Sequence, residues 1–368
     1  MARDVAIDYT RGVAVFSMIS GHFAAGSYLA KPTHSIPYFD GASAFVLISG
    51  LVLGIVHSQW SHVNSRGRLL RRIWVIYLCQ FFICLTAAIV SLCSGDHSGL
   101  RPLAGWGEAM WRSLALQYMP AGGDILALYF VLMIGAAGII ELLRRGKWLV
   151  IIVGSVLLYI FAQTIAQEWM YIPNYSELGH IANWASWQVL FVPAIAVGWN
   201  WQSWNVAENL ERMLIPLVAL SFAVAMSSNL VSRSGWFPGV NDMLADKVDM
   251  GVGRVCSAWL LTVTVYALFR RIGRVRVLRP IESTGARSLD SYVLQAVLLL
   301  IVPLLVARPW GEVTATAIAV SVFACAWAWA EARKYLGINR LHRTPTVLIV
   351  RAKQLFVDRR ERMSRTRA

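Results

Sequence analysis

Runs of about twenty mostly apolar residues recur through most of this chain, and no other feature restricts its architecture as strongly. A helix needs about twenty residues to cross the hydrocarbon of a bilayer. In that medium every backbone N–H and C=O must be satisfied within the segment, which a helix achieves. The runs lie at residues 6–28, 41–57, 70–93, 126–143, 149–167, 187–201, 214–229, 252–269, 289–307 and 313–332. Only 15% of residues are charged against 57% hydrophobic, below the roughly 25% charge of a soluble domain. The expected fold is an all-α integral membrane protein of about ten transmembrane helices. Residues 1–335 form one polytopic domain and 336–368 a basic cytoplasmic tail.

Basic residues set the orientation. Lysine and arginine number 34 against 20 aspartates and glutamates, a net charge of +14. In a soluble domain that excess would point toward nucleic acid. Here it collects in alternate loops, as the positive-inside bias of cytoplasmic loops requires, and no nucleic-acid partner is expected. Arg66, Arg68, Arg71 and Arg72 follow the second run, and Arg144, Arg145 and Lys147 the fourth. Arg270, Arg271, Arg274, Arg276 and Arg279 follow the eighth, and a basic stretch from Arg333 follows the tenth. The alternation predicts an even number of spans with both termini in the cytoplasm. Residues 94–123 carry Trp106, Trp111 and Arg112 at amphipathic spacing, which predicts an interfacial helix. The five cysteines lie in or beside apolar runs without metal-ligand spacing and read as small core residues, so no metal site is expected. No small-residue cleavage pattern follows the first run, which is therefore expected to stay as an anchor.

That first run holds three ionisable residues, Asp8, Arg11 and His22. An Arg or Asp at the centre of a spanning helix costs about 2.5–3.5 kcal/mol on the insertion scale, so such residues mark sites by default. Arg11 and His22 are eleven residues apart. That spacing returns them to within roughly 20° on one helix face and separates them by about 16 Å along the axis. Asp8 lies one turn from Arg11 and can pair with it. Histidine exchanges a proton near neutrality and can act as a general base toward a hydroxyl. With the termini inside, Arg11 lies on the cytoplasmic side and His22 in the outward half. A structural histidine beside an Asp8–Arg11 anchor is the plainer account, but it leaves the shared face unexplained. His34, His57, His62, His97, His180 and His342 fall at or beyond span ends, where a solvated surface is expected.

The second run opens on Asp40 and continues Gly41-Ala42-Ser43-Ala44-Phe45-Val46-Leu47-Ile48-Ser49-Gly50, with small residues suited to close helix packing. Asp40 is either a helix cap or a carboxylate for an acceptor. An Arg-and-His first span followed by an Ala-Phe-Val-x-x-Ser-Gly span resembles the acyltransferase-three superfamily of membrane enzymes. More narrowly it is similar to the OpgC-type branch, which succinylates periplasmic glucans. Asp124-Ile125-Leu126-Ala127-Leu128-Tyr129 and Trp184-Ala185-Ser186-Trp187-Gln188-Val189-Leu190-Phe191-Val192 fit that branch. So do Asp246-Lys247 with Gly253-Arg254, and Ser288-Leu289-Asp290-Ser291-Tyr292, and the likeness runs from Asp8 to about Gln295. Gln295 departs from the pattern, standing where superfamily members often carry His, and any assistance from that His is altered here.

The resemblance implies a multi-pass O-acyltransferase of the bacterial inner membrane. It would take an acyl group, succinyl on this likeness, from cytoplasmic acyl-CoA and place it on a hydroxyl of an extracytoplasmic polysaccharide or glycolipid. His22 would be the general base, with Asp8 and Arg11 as a supporting ion pair. Arg11, Arg68, Arg71 and Arg72 are the candidates for the CoA phosphates, because Arg contacts phosphate bidentately. Lys247 and Arg254 are candidates for the free carboxylate of a succinyl donor, which needs a cation in a low-dielectric tunnel. On the acceptor side stand Asp40, Asp246, Gln188, which both donates and accepts, and Trp184 with Trp187 as sugar-stacking surfaces. Interfacial belts account for most of the 16 tryptophans. Beyond these substrates and the surrounding lipids, no permanently bound cofactor is expected. A transporter or flippase of a lipid-linked or anionic solute would also use intramembrane Asp, Arg and His. The chain lacks, however, the paired halves with matching broken helices that mark many transporters.

Overall fold

The computed structural model describes residues 4–95, 99–165, 167–234 and 238–337. His97, His342 and nearly all of the basic tail lie outside these residues. In chain order the elements are α1 (Val5–Phe23), α2 (Lys31–His34), α3 (Gly41–Ser58), α4 (His62–Ser94), α5 (Trp106–Leu114), α6 (Ile125–Arg144) and α7 (Trp148–Thr164). A two-stranded hairpin of β1 (Tyr171–Pro173) and β2 (His180–Asn183) follows. Then come α8 (Trp184–Trp199), α9 (Val206–Arg212), α10 (Leu214–Ser234), α11 (Pro238–Ala245), α12 (Val252–Ile272), α13 (Arg279–Ala286), α14 (Ser288–Leu305) and α15 (Glu312–Tyr335).

Each apolar run of the sequence is helical. α3, α4, α6, α10, α12, α14 and α15 are long and apolar enough to cross a membrane, and α7 and α8 are shorter apolar helices. The chain is therefore a multi-pass helical membrane protein. α1 falls short of that apolar character because Asp8, Arg11 and His22 share its nineteen residues. It compensates by lying inside the bundle, packed on α3, α12, α13, α14 and α15. Val15, Ile19 and Phe23 on this helix are buried.

Close helix approach is written in glycine. A Cβ on Gly12 would sit 2.0 Å from the Ile281 carbonyl oxygen, and one on Gly285 would sit 1.8 Å from that of Asp8. Only bare backbone fits at this crossing of α1 with α13, as small-residue packing in membranes requires. α13 itself was not expected, since its segment reads as a basic loop. It starts on Arg279 with Pro280 in the first turn, a position where the missing N–H costs nothing.

The two ends of the bundle differ. α4 runs for 33 residues, or about 50 Å, against hydrocarbon about 30 Å thick. Its excess length projects at the Arg11 end and carries Arg66, Arg68, Arg71 and Arg72. At the His22 end the hairpin forms a roof. The Tyr171 hydroxyl and the Asn183 amide both donate to Asp249 Oδ1 at 2.9 Å, which ties the hairpin to the turn before α12. α5 lies at this end as an amphipathic helix, with Ala109 and Ser113 buried and Trp106, Met110 and Trp111 exposed.

Candidate active site

Arg68, Arg71 and Arg72 stand at i, i+3 and i+4 on α4, so they share one face. With Arg11 of α1 they line a cavity of about 440 Å³, within the size range of small-molecule sites. Arg287 and Arg333 line it too, together with Tyr129, His57 and Asp290. The structure thus brings together the four arginines expected to hold the CoA phosphates, and adds two that the sequence reading missed. The signal for one was present: Asp290 sits in an apolar run and needs a cation. It finds one in Arg333, and the side chains are 5% and 2% exposed respectively. Arg68 lies over the Trp60 ring, its Cζ 3.3 Å from the centroid, a cation–π contact that suits guanidinium. His57 corrects an expectation. It is buried, not solvated, with Nδ1 2.7 Å from Ser65 Oγ, because the last turn of α3 closes against the start of α4. Asp8 and Arg11 also line a second cavity, with Gln59, Gln202, Glu208 and Arg270.

His22 lies at the other end of α1. The helix stops at Phe23 and does not continue to residue 28, which places His22 in its last turn. Its ring packs against the turn between α5 and α6. A Cβ on Gly122, whose φ is +80°, would lie 2.8 Å from His22 Cε1 and 2.9 Å from Nε2. Lys247, Asp124, Asp40 and His34 are near enough for their charges to act on the ring. His34 reaches it by packing on Gly21, where a Cβ would come within 2.3 Å of its Nε2.

Asp40 is the cap of α3. Its Oδ1 accepts from the Ser43 N–H at 2.8 Å and from Ser43 Oγ at 2.6 Å. Its Oδ2 faces Arg254 Nη1 at 3.2 Å and Lys247 Nζ at 3.7 Å. Burial alone would raise the Asp40 carboxyl. The Lys247 and Arg254 charges, with the two Ser43 bonds, more than offset that and hold it below its ordinary value. Lys247 and Arg254 therefore stand at the His22 end, apart from the arginine-lined cavity.

The expected acceptor residues divide. Trp184 donates its indole N–H to the Trp169 carbonyl at 3.2 Å, and the two rings lie 5.8 Å apart near the surface. Asp246 accepts from the Asp249 N–H at 2.9 Å and closes the turn that carries Lys247. Trp187 and Gln188 are buried. The Trp187 indole donates to the Lys247 carbonyl at 3.0 Å. Gln188 accepts from Ser155 Oγ at 2.6 Å and donates to the Ser155 carbonyl at 2.8 Å. Gln188 thus ties α8 to α7, and Trp187 ties α8 to the turn before α12.

An aromatic layer separates cavity from histidine. Tyr129 lines the cavity and meets Phe45 and Phe191 edge-on, at centroid distances of 6.2 and 5.7 Å. Phe45 then meets Tyr292 at 6.1 Å. The Tyr292 hydroxyl donates to the carbonyl of Gly122, on which His22 rests.

A membrane-embedded helical bundle, with a guanidinium-lined cavity at one end and a packed histidine among ionisable groups at the other, defines a multi-pass protein with two polar sites on a shared helix. The chain belongs to the OpgC protein family, which matches residues 3–337. No curated protein and no solved structure matches the chain.

Proposed function

We propose that this protein is a membrane O-acyltransferase of about ten spans with cytoplasmic termini, residing in the bacterial inner membrane. It moves a succinyl group from cytoplasmic acyl-CoA to a hydroxyl of an extracytoplasmic glycan. The observation that carries this reading is the convergence of Arg11, Arg68, Arg71 and Arg72, from separate stretches of sequence, on one cavity. Clustered guanidiniums suit the several phosphates of CoA, and the positive-inside bias puts that end in the cytoplasm. Membership of the OpgC family supports glucan modification as the outward chemistry.

The donor's acyl arm reaches from the arginine cavity along α1 toward His22. There the imidazole takes the proton of the acceptor hydroxyl as its oxygen attacks the thioester carbonyl. The C–O bond forms, the C–S bond breaks, and the imidazolium returns its proton to the departing thiolate. Lys247, whose side chain is 55% exposed beside Asp40, is the cation we propose for the distal carboxylate of a succinyl group, which an acetyl group lacks. Trp184 remains the candidate for sugar stacking.

His22→Ala is expected to abolish glycan acylation in membranes while insertion and CoA binding persist. Near wild-type acylation in that variant removes His22 from the mechanism. Acyl-CoA is expected to raise the melting temperature of the purified protein, and Arg71→Ala/Arg72→Ala to reduce the effect. A protein that CoA does not stabilise would instead fit a flippase.

A further inference from the structure

The turn between α5 and α6 is held by three polar side chains from separate elements. Asn174, in the hairpin loop, accepts from the Met119 N–H at 3.0 Å and donates to the Met119 carbonyl at 3.1 Å. Gln80 of α4 donates to the Gly123 carbonyl at 2.9 Å. Tyr292 of α14 donates to the Gly122 carbonyl at 3.1 Å and accepts from the Ile125 N–H at 3.2 Å. Gln80 and Tyr292 are fully buried. Buried polar groups are hydrogen-bonded as a rule, but their convergence on seven residues fixes where this segment stands. What it sets against the His22 ring is Gly122, and Asp124 follows two residues on in the chain.

Asp124 opens α6, yet its side chain does not cap that helix. Asp4, Asp40 and Asn183 do cap α1, α3 and α8. Half-buried, Asp124 acts electrostatically on both His22 and Tyr292. Of the other groups that act on His22, Lys247 is an ammonium and His34 a second imidazole, and neither is a carboxylate. Asp40 has one oxygen on Ser43 and the other on Arg254 and Lys247. Asp124 is the facing carboxylate with no such commitment.

We infer that Asp124 is the positioning carboxylate for His22: it orients the ring and faces the imidazolium formed when His22 takes the acceptor's proton. The inference rests on the reading of His22 as the base. A carboxylate beside a catalytic histidine favours one tautomer and stabilises the cation without itself taking the proton. The proton passes from hydroxyl to His22 and on to the CoA thiolate.

The test compares Asp124→Asn, Asp124→Glu and His22→Ala in membranes supplied with acyl-CoA and glucan. Asp124→Asn is expected to keep the wild-type CoA-induced melting shift and KM for acyl-CoA while kcat falls about 10²-fold or more. The acid limb of its residual kcat profile should move to lower pH, since an imidazolium is disfavoured once the neighbouring anion is gone. Asp124→Glu should restore part of the rate. If His22→Ala is inactive while Asp124→Asn keeps wild-type kcat and an unmoved pH profile, the inference alone is overturned. If Asp124→Asn loses rate with an unmoved profile and no rescue by Glu, the residue is only structural and the inference is likewise overturned. If His22→Ala is active, the underlying reading fails first.

Discussion

Gly122→Ala tests the seating of the candidate base more sharply than removing the base does. The added methyl would lie 2.8 and 2.9 Å from two atoms of the His22 ring and 2.9 Å from Leu299 Cδ2. Restoring an ordinary carbon contact of about 3.5–4.0 Å requires a displacement of roughly 0.7–1 Å. The turn is pinned by Tyr292 and Gln80, so the imidazole is what yields. A 1 Å misplacement of a catalytic group costs about 10²-fold in rate. The backbone also pays, because a non-glycine residue at φ +80° is disfavoured by about 1–2 kcal/mol. The arginine cavity lies at the other end of α1, so donor affinity should hold. The assay is glycan acylation at saturating acyl-CoA, beside CoA binding and thermal unfolding of the same preparation. The expected result is a kcat down about 10²-fold, an unchanged Kd for acyl-CoA, and a modest fall in melting temperature. Wild-type kcat in a folded Gly122→Ala protein would refute the claim that chemistry depends on how His22 is seated.

Replacing Arg71 and Arg72 together by Gln should raise KM for acyl-CoA about tenfold or more, at about 1.5–3 kcal/mol per lost charged hydrogen bond, with kcat little changed. The loss should shrink at high salt in a titration of acyl-CoA binding. Asp290→Asn removes the carboxylate that pairs with buried Arg333 and should cost about 3–5 kcal/mol of stability, whereas Asp290→Leu/Arg333→Met should recover most of it in thermal unfolding. Because the Asp40 carboxyl is held below its ordinary value, its stabilising contribution is complete above about pH 4 and is lost as pH falls through the lowered value. Asp40→Asn should therefore flatten the acid side of the melting-temperature curve, and an unchanged slope would contradict the Asp40–Lys247–Arg254 cluster.

The helices were legible because membrane segments carry their signal locally: length, apolarity and loop charge are read residue by residue. The same holds for Arg68, Arg71 and Arg72, whose charge stands out beside a hydrophobic run. Arg287 and Arg333 could not be assigned to that cavity from sequence, since nothing along the chain says that the start of α14 and the end of α15 meet beside α1. The burial of Trp187 and Gln188 was hidden for the same reason. An amphipathic reading of α8 cannot tell which polar side chain turns toward α7 when Ser155 waits there as a partner. His57 was misread because a residue at the end of one helix is enclosed only when the next helix doubles back over it. Asp124 was visible as the opening of a span, but its nearness to His22 depends on a clamp built from residues 80, 174 and 292.

The rings of Tyr129, Phe45, Phe191 and Tyr292 stand across the route from the arginine cavity to His22. If the proposed thioester arm takes that path, these rings would close it whenever the arm is absent, and hydronium and small anions would meet a barrier instead of a leak between the compartments. Passage would then be granted by the substrate itself, whose slender chain must part the stopper to enter and lets it reseal on leaving.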